Sequence, residues 1–156
     1  MGEFAREVQE RLAADLEAAR PDLTWAVEHR VGTTPVDVAG TGADTLVLVE
    51  LEMRRADPAD NTVTLLRSLE TGVLDEYETV VVCQAFSAYY DLASGGVSTK
   101  RENATFVGRL AADAFDRVTF HAVEFPVEPP KRGADWPENW TDALATTVDA
   151  VVEATP

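Results

Sequence analysis

The sequence is poor in the residues that build disulfides and zinc sites. It has one cysteine, Cys83, and two histidines, which excludes a disulfide framework and a Cys/His zinc site. Cys83 lies in the apolar stretch TVVVCQAF, so it is expected to be a small core residue rather than a reactive thiol. Neither GxGxxG nor GxxxxGK[ST] occurs in the chain. Dinucleotide-binding and P-loop functions therefore lose their main support.

Long hydrophobic runs are also missing. No apolar stretch approaches the roughly 20 residues that cross a membrane as a helix. The amino-terminal segment MGEFAREVQERL is predicted to be an amphipathic helix rather than a signal peptide, and Arg6 breaks the myristoylation pattern. A cytoplasmic protein with no membrane partner is the expectation.

Basic residues are scarce relative to acidic ones. The 28 Asp and Glu residues outnumber the 13 Lys and Arg residues, the formal net charge is −15, and the lysines are Lys100 and Lys131. An acidic surface that repels nucleic acid and favours basic partners is one interpretation. A halophilic protein, adapted to a salty cytoplasm, is the favoured one because the acids are scattered without an acidic tail. High salt screens charges beyond a few Å, so net acidity does not exclude a phosphate ligand.

Hydrophobic periodicity and turn signals predict alternating helices and strands. Helices are predicted at 3–20, at the Asp57-Pro58 start, at 101–116 and at 138–154, and strands at 24–32, 34–40, 45–54, 78–87 and 117–125. Short connections among the first three strands imply antiparallel hairpins. The helix between the later apolar strands implies a right-handed crossover with parallel pairing. The prediction is one α/β domain, 1–156, with a mixed sheet.

The stretch LVLVELEMRRADPADN, residues 46–61, turns from apolar to ionic without leaving the extended pattern. Side chains of a strand alternate between faces, so Glu50, Glu52 and Arg54 are predicted on one face. The two carboxylates would stand roughly 7 Å apart along the strand. Like charges this close repel one another unless a cation or a basic group lies between them.

A third carboxylate, Asp37, is expected beside this pair. It lies in TPVDVAG, on the strand that a short turn connects to 45–54, and Val36 and Val38 are expected to face the side opposite to it. Carboxylates from two neighbouring strands suit Mg²⁺ or Mn²⁺, because these cations need only one or two protein carboxylates besides water and substrate phosphate.

The element order from residue 3 to about residue 86 resembles the core of the PD-(D/E)XK, or restriction-endonuclease-like, nucleases. Pro35-Val36-Asp37 resembles the first element of their motif, with one residue inserted between proline and acid, and Glu50-Leu51-Glu52 resembles the second. Glu52 occupies the position of the family's lysine, and some restriction enzymes of the family carry E-x-E. The resemblance implies a metal-dependent nuclease that hydrolyses phosphodiester bonds, with DNA the expected substrate.

The resemblance also implies roles for individual residues. Asp37 and Glu50 would hold Mg²⁺ or Mn²⁺, with the Leu51 carbonyl as a further ligand. Glu52 would complete the catalytic set as a general base acting through water. Nucleases of this family often act as dimers, so a homodimer is an expectation carried by the resemblance alone.

Positive charge must come from elsewhere, because Glu52 cannot supply it. Arg54 or Arg55 would clamp the substrate phosphate, and Asn61, in the first turn of the following helix, would complete the pocket. A catalytically inactive module that binds nucleic acid or protein is the alternative function, since the lysine is missing. A solvated strand end with mutual ion pairs is the alternative structural interpretation, and an α/β interaction protein without a nucleic-acid role is a third hypothesis.

Two aromatic segments remain open to two interpretations each. Tyr89-Tyr90 together with Lys100-Arg101 could stack on bases and contact phosphates, or could be a loop with exposed aromatics followed by a helix start. Trp136 and Trp140 are expected to anchor the last helix by packing, with ligand binding as the alternative.

Overall fold

The computed structural model describes residues 2–156 and confirms the predicted order of elements. The elements are α1 Glu3–Ala19, β1 Thr24–Val31, β2 Thr34–Thr41, β3 Thr45–Glu52, α2 Ala59–Glu70, β4 Thr79–Ser87, a 3₁₀ turn Ala88–Tyr90, α3 Thr99–Ala114, β5 Val118–Phe125 and α4 Trp140–Ala154. Two boundaries differ from prediction near the charged stretch. β3 ends at Glu52 rather than at residue 54, and α2 starts after Pro58, which takes the N-cap position predicted for Asp57. Within residues 2–156, none of the helices combines the length and apolar character needed to cross a bilayer.

The five strands form one mixed sheet in the order β1-β2-β3-β4-β5. β1, β2 and β3 pair antiparallel, as the short turns between them predict. β3 pairs parallel with β4, and β4 with β5, because α2 and α3 return the chain to the same end of the sheet. The carboxyl ends of β3, β4 and β5 consequently lie along one edge.

Hydrophobic residues cover both faces of the sheet. One cluster packs the sheet against α1 and α4, with Val8, Leu12 and Leu144 fully or almost fully buried. The other lies on the face that carries α2, with Leu48 and Leu69 in its interior. The central strand β4 contributes to both clusters, so the prediction of a strand buried on two faces is confirmed. Cys83 is buried in the first cluster, and burial raises the pKa of its thiol to about 12.

β1 and β2 change faces part-way along their length. In β2, Val38 belongs to the cluster under α1 and Val36 to the cluster under α2, so the expectation that both face one side is wrong. The register of β1 with β2 places Glu28 opposite Asp37, and Glu28 has a left-handed backbone, with φ 50°. A left-handed residue interrupts the two-residue alternation of a strand, and non-glycine residues adopt this conformation rarely. The distortion lies next to the predicted site residue Asp37.

Candidate functional site

The backbone pairing of β2 with β3 ends before Asp37, and from there the Asp37 side chain hydrogen-bonds to β3 instead. The β2–β3 ladder runs from Thr41 and Leu46 to Val38 and Val49, where it stops. Beyond it the Asp37 carboxylate accepts the backbone N–H of Leu51, with 2.7 Å between Oδ2 and N. Gln9 of α1 donates from Nε2 to the Asp37 backbone carbonyl, also at 2.7 Å. These two bonds satisfy the separated backbone groups and fix the carboxylate at the end of β3.

Asp37 and Glu50 form a close pair of half-buried carboxyl groups. Continuing the register of β2 with β3 places them opposite one another, within hydrogen-bond reach. Burial raises the pKa of Glu50 well above its ordinary value, and the negative charge of Asp37 raises it further. Burial also raises the pKa of Asp37, although the bond from the Leu51 N–H opposes that change. Two carboxylates this close repel one another when both are ionised, and a bound cation would offset that repulsion.

Glu52 is the last residue of β3, two positions after Glu50, and its side chain is fully buried. Its Oε1 accepts from Asn61 Nδ2 at 2.9 Å and from Gln84 Nε2 at 2.7 Å. Its Oε2 has no hydrogen-bond partner, and Arg55 Nε lies 4.0 Å from it. Burial raises the pKa of Glu52, while the bonds from Gln84 and Asn61 oppose the rise. The Glu50–Glu52 stretch therefore carries more negative charge than its neighbours neutralise.

Gln84 is a site residue that sequence reasoning missed. It lies on β4 beside Glu50 in the strand register and is 2% exposed. It donates to Glu52 and to the Pro58 carbonyl, and accepts from the Thr62 hydroxyl at 3.2 Å. The available signal was a single amide inside the apolar run TVVVCQAF, since a buried amide needs hydrogen-bond partners.

The two arginines after β3 point to different partners. Arg55 is exposed, and its Nη1 donates to Asn61 Oδ1 at 2.6 Å. Arg54 instead donates to the Pro129 carbonyl and to Glu128, and its guanidinium lies 5.1 Å from the centre of the Tyr89 ring. Because β3 has already ended, strand alternation does not extend to Arg54. Arg55 is the arginine that joins Glu52 and Asn61.

An open groove of about 460 Å³ runs over the end of β3. Five of the six predicted site residues line it, namely Asp37, Glu50, Arg54, Arg55 and Asn61. The sixth, Glu52, lies below the groove and is connected to it through Asn61. The structure thus brings the predicted residues into one place, while their roles in catalysis and substrate binding stay predictions.

The Asp37–Glu50 pair fits a hard divalent cation. Across residues 2–156 no group of three His, Cys, Asp or Glu side chains is arranged to hold a metal ion. Mg²⁺ and Mn²⁺, however, are commonly held by one or two carboxylates. Neither carboxylate forms an ion pair with a basic residue in the described part of the chain. The N–H and C=O of a strand residue point to the same neighbouring strand, so the Leu51 carbonyl is directed to the Asp37 side. Its part as a metal ligand stays a prediction.

Two of the neighbouring aromatic and basic residues, Arg101 and Tyr90, are buried. Arg101 is 8% exposed, pairs with Glu124 and lies 5.0 Å from the centre of the Phe86 ring, so it serves the interior. Tyr90 is fully buried, and its hydroxyl donates to the Arg55 carbonyl at 3.1 Å. For these two residues the base-stacking and phosphate-binding interpretation is wrong. The helix start is confirmed at Arg101, but the expectation of exposed aromatics is wrong for Tyr90.

Comparison with known proteins assigns no family. No family model matches this chain, and no curated protein is a significant match. One solved structure that aligns with this chain is that of Pyrococcus furiosus SfsA in complex with Ca²⁺, at 13% sequence identity and a TM-score of 0.44. The match covers 78% of this chain and 58% of that chain. At this level of similarity the likeness assigns neither a family nor an activity.

Proposed function

We propose that this protein is a nuclease dependent on Mg²⁺ or Mn²⁺, with Asp37 and Glu50 as its metal-binding pair and DNA as the expected substrate. The observation that carries the proposal is the uncompensated carboxylate pair at the end of β3. The two acids lie within hydrogen-bond reach, are half-buried, and have no basic partner, yet the groove above them is lined by Arg54 and Arg55. The Asp37 and Glu50 carboxylates suit a divalent cation, and the guanidinium groups of the groove suit a phosphate.

The chain's own groups supply positioning and charge. The bonds from Leu51 N–H and Gln9 hold Asp37 in place, so its second oxygen is directed by a rigid backbone. A bound metal would polarise the phosphodiester and lower the pKa of its water ligand. Arg55 is exposed at the groove and has guanidinium donors for the phosphate oxygens.

Glu52 is suited to an indirect part in this site. Its Oε1 is occupied by two amide donors, and Asn61, one of those donors, also accepts from Arg55 at 2.6 Å. Glu52 thereby orients Asn61, and Asn61 orients Arg55 toward the groove. A general-base role for Glu52 requires water to reach Oε2, and it is tested separately by comparing the pH profiles of cleavage for wild type and Glu52→Gln.

The test measures metal binding and cleavage side by side. Thermal unfolding with increasing Mn²⁺, and cleavage of plasmid and oligonucleotide DNA, are followed at low and high KCl for wild type, Asp37→Asn and Glu50→Gln. The amide oxygen introduced by Asp37→Asn can still accept the Leu51 N–H, so that variant removes charge while keeping the bond. Glu28→Gln is the matched control, because Glu28 is an exposed acid lining the same groove. If Mn²⁺ still stabilises both Asp37→Asn and Glu50→Gln, or if both variants still cleave DNA, the proposal is rejected.

A binding module without catalysis is the second candidate. It is favoured by Glu52, which occupies the lysine position of the motif and is fully buried between amide donors, so it supplies no positive charge. Mn²⁺ binding that depends on Asp37 and Glu50, together with nucleic-acid binding but no cleavage at any salt concentration, would establish this function instead.

A further inference from the structure

A second open groove adjoins the site at the start of α1. Its volume is about 760 Å³, and Gly2, Glu3, Phe4, Lys131, Arg132 and Trp136 are among its lining residues. Gly2 also lines the groove above Asp37 and Glu50. The two grooves therefore meet at the amino-terminal end of α1.

Arg54 joins the second groove to the candidate site. Its guanidinium donates twice to the Pro129 carbonyl, with distances of 2.7 and 3.1 Å, while its side chain lines the first groove. Lys131 follows two residues after Pro129, and two residues of extended chain span about 7 Å at most. The loop that carries the basic pair Lys131-Arg132 is thus held against the site.

The basic pair in this loop is opposite in sign to the net charge of the protein. Lys131 and Arg132 are adjacent and exposed, in a chain whose 28 acidic residues outnumber its 13 basic ones. Neither residue forms an ion pair with any part of the chain that the structure describes. Glu3 is the acid that lines the groove with them. A surface with so few cations places two unpaired ones beside the predicted phosphate site.

Trp136 provides a rigid aromatic surface next to this basic pair. It is 37% exposed, and its ring packs edge-on against Phe4 at 5.5 Å and Trp140 at 6.1 Å between ring centroids. Packing of this kind fixes the ring, so little conformational entropy remains to be lost when a flat ligand stacks on it. The packing role expected for Trp136 and Trp140 is confirmed, and part of the Trp136 ring still faces the groove.

We propose that the second groove binds an unpaired segment of the nucleic-acid strand whose phosphate lies at Asp37 and Glu50. Lys131 and Arg132 contact its phosphates, and Trp136 stacks on one of its bases. A basic groove with an aromatic ring is the usual platform for single strands, because the faces of bases in a duplex are already stacked. The inference rests on the proposed function and specifies its substrate as DNA or RNA with a single-stranded extension.

The test measures binding in the absence of divalent metal, using full-length Glu50→Gln protein as the background. A labelled oligothymidine and a duplex of the same length are titrated, and anisotropy is followed at several KCl concentrations. Lys131→Ala/Arg132→Ala is compared with Arg67→Ala/Arg109→Ala, which removes the same charge from exposed positions on α2 and α3. Two lost phosphate contacts should reduce the slope of log K against log salt by about 1.4 for a single strand. The control pair should leave it unchanged.

Replacing Trp136 tests stacking apart from charge. Trp136→Leu should weaken oligothymidine binding roughly tenfold at all salt concentrations, whereas Trp136→Phe should retain most of the affinity. Circular dichroism melting shows whether each variant is folded. Equal affinity for duplex and single strand, an equal effect of the control pair, or no effect of Trp136→Leu in a folded variant would overturn the inference.

The two proposals fail in different ways. If nothing is cleaved and no Mn²⁺ binds, but oligothymidine binding depends on Lys131, Arg132 and Trp136, the nuclease proposal fails and the groove stands. If cleavage depends on Asp37 and Glu50, but the Lys131/Arg132 variant binds and cleaves single-stranded extensions like wild type, the groove proposal alone fails.

Discussion

Two charged clusters lie along the same edge of the sheet, and one of them is neutralised far better than the other. Glu52 on β3 is level with Phe86 on β4, which is level with Glu124 on β5. At the β5 end, Arg101 is buried between Glu124 and Asp91, with 3.7 Å separating it from Asp91. At the β3 end, the largely exposed Arg55 forms an ion pair with Glu52, whereas Asp37 and Glu50 have none in the described part of the chain. A paired charge in this position stabilises the fold, whereas unpaired acids leave a place for a cation.

The largest expected effect is on metal binding. Asp37→Asn/Glu50→Gln should remove the Mn²⁺-induced rise in melting temperature and reduce apparent metal affinity and cleavage roughly 100-fold or more. Glu124→Gln in the paired cluster should leave both unchanged, since Arg101 already neutralises that acid. Thermal shift with Mn²⁺ and a cleavage assay measure the two effects. An equal loss of metal affinity and cleavage in Glu124→Gln would show that the two clusters do not differ in their capacity for a cation.

Removing Arg101 should have the largest effect on stability. Arg101→Ala leaves Glu124 without its partner and empties the space beside Phe86. Its two acidic partners, Glu124 and Asp91, are about half exposed. We therefore expect the free energy of unfolding to fall by about 2–3 kcal/mol, below the range for fully buried pairs. Arg109→Ala, an exposed position on the same helix, should cost less than about 0.5 kcal/mol. Urea denaturation of both variants provides the comparison.

In contrast to Arg101→Ala, Glu50→Gln should raise the stability of the metal-free protein at neutral pH. The pKa of Glu50 is raised in the folded state, so between the unfolded and folded pKa values the folded protein binds more protons than the unfolded chain. Stability is therefore lost as pH rises from the unfolded pKa through the folded one. We expect a gain of about 1–2 kcal/mol at pH 7, or a few °C in melting temperature.

The pH dependence supplies the control for this prediction. Wild type should become more stable as pH falls from 7 toward the ordinary pKa of a glutamate, and the advantage of Glu50→Gln should shrink over the same interval. The raised pKa of Asp37 contributes in the same direction. A variant that is less stable than wild type at neutral pH without metal would contradict the assignment of uncompensated charge.

The smallest effect is expected at Asn61. Asn61→Ala removes one of the two donors to Glu52 and frees Arg55 from its 2.6 Å bond. We expect a loss of about 0.5–1.5 kcal/mol, since Gln84 still donates to Glu52. Substrate affinity should fall as well, because Arg55 is no longer oriented. Asn61→Asp would sharpen the result, since it adds a fourth acid and should cost more than Asn61→Ala.

Local patterns were enough to predict the site's main residues. Two-residue alternation placed Glu50 and Glu52 on one face, and the short turn between β2 and β3 brought Asp37 next to Glu50. These relations involve one strand and its hairpin neighbour, so sequence order determines them almost completely. The same alternation was misleading at Val36, where β2 changes faces opposite the irregular part of β1, and at Arg54, which follows the end of β3.

Long-range packing decided which charges have partners. Gln84 reaches Glu52 across 32 residues of sequence, and Arg101 reaches Glu124 across 23, so neither pairing is visible in a local pattern. The position of Lys131 and Trp136 beside the site depends on how the loop after β5 meets α1. The sequence by itself therefore determined the elements, the sheet and the acidic strand end, since these follow from periodicity and short turns. Only the tertiary structure decided which of those acids are left without a cation, because neutralisation depends on neighbours that the fold brings together.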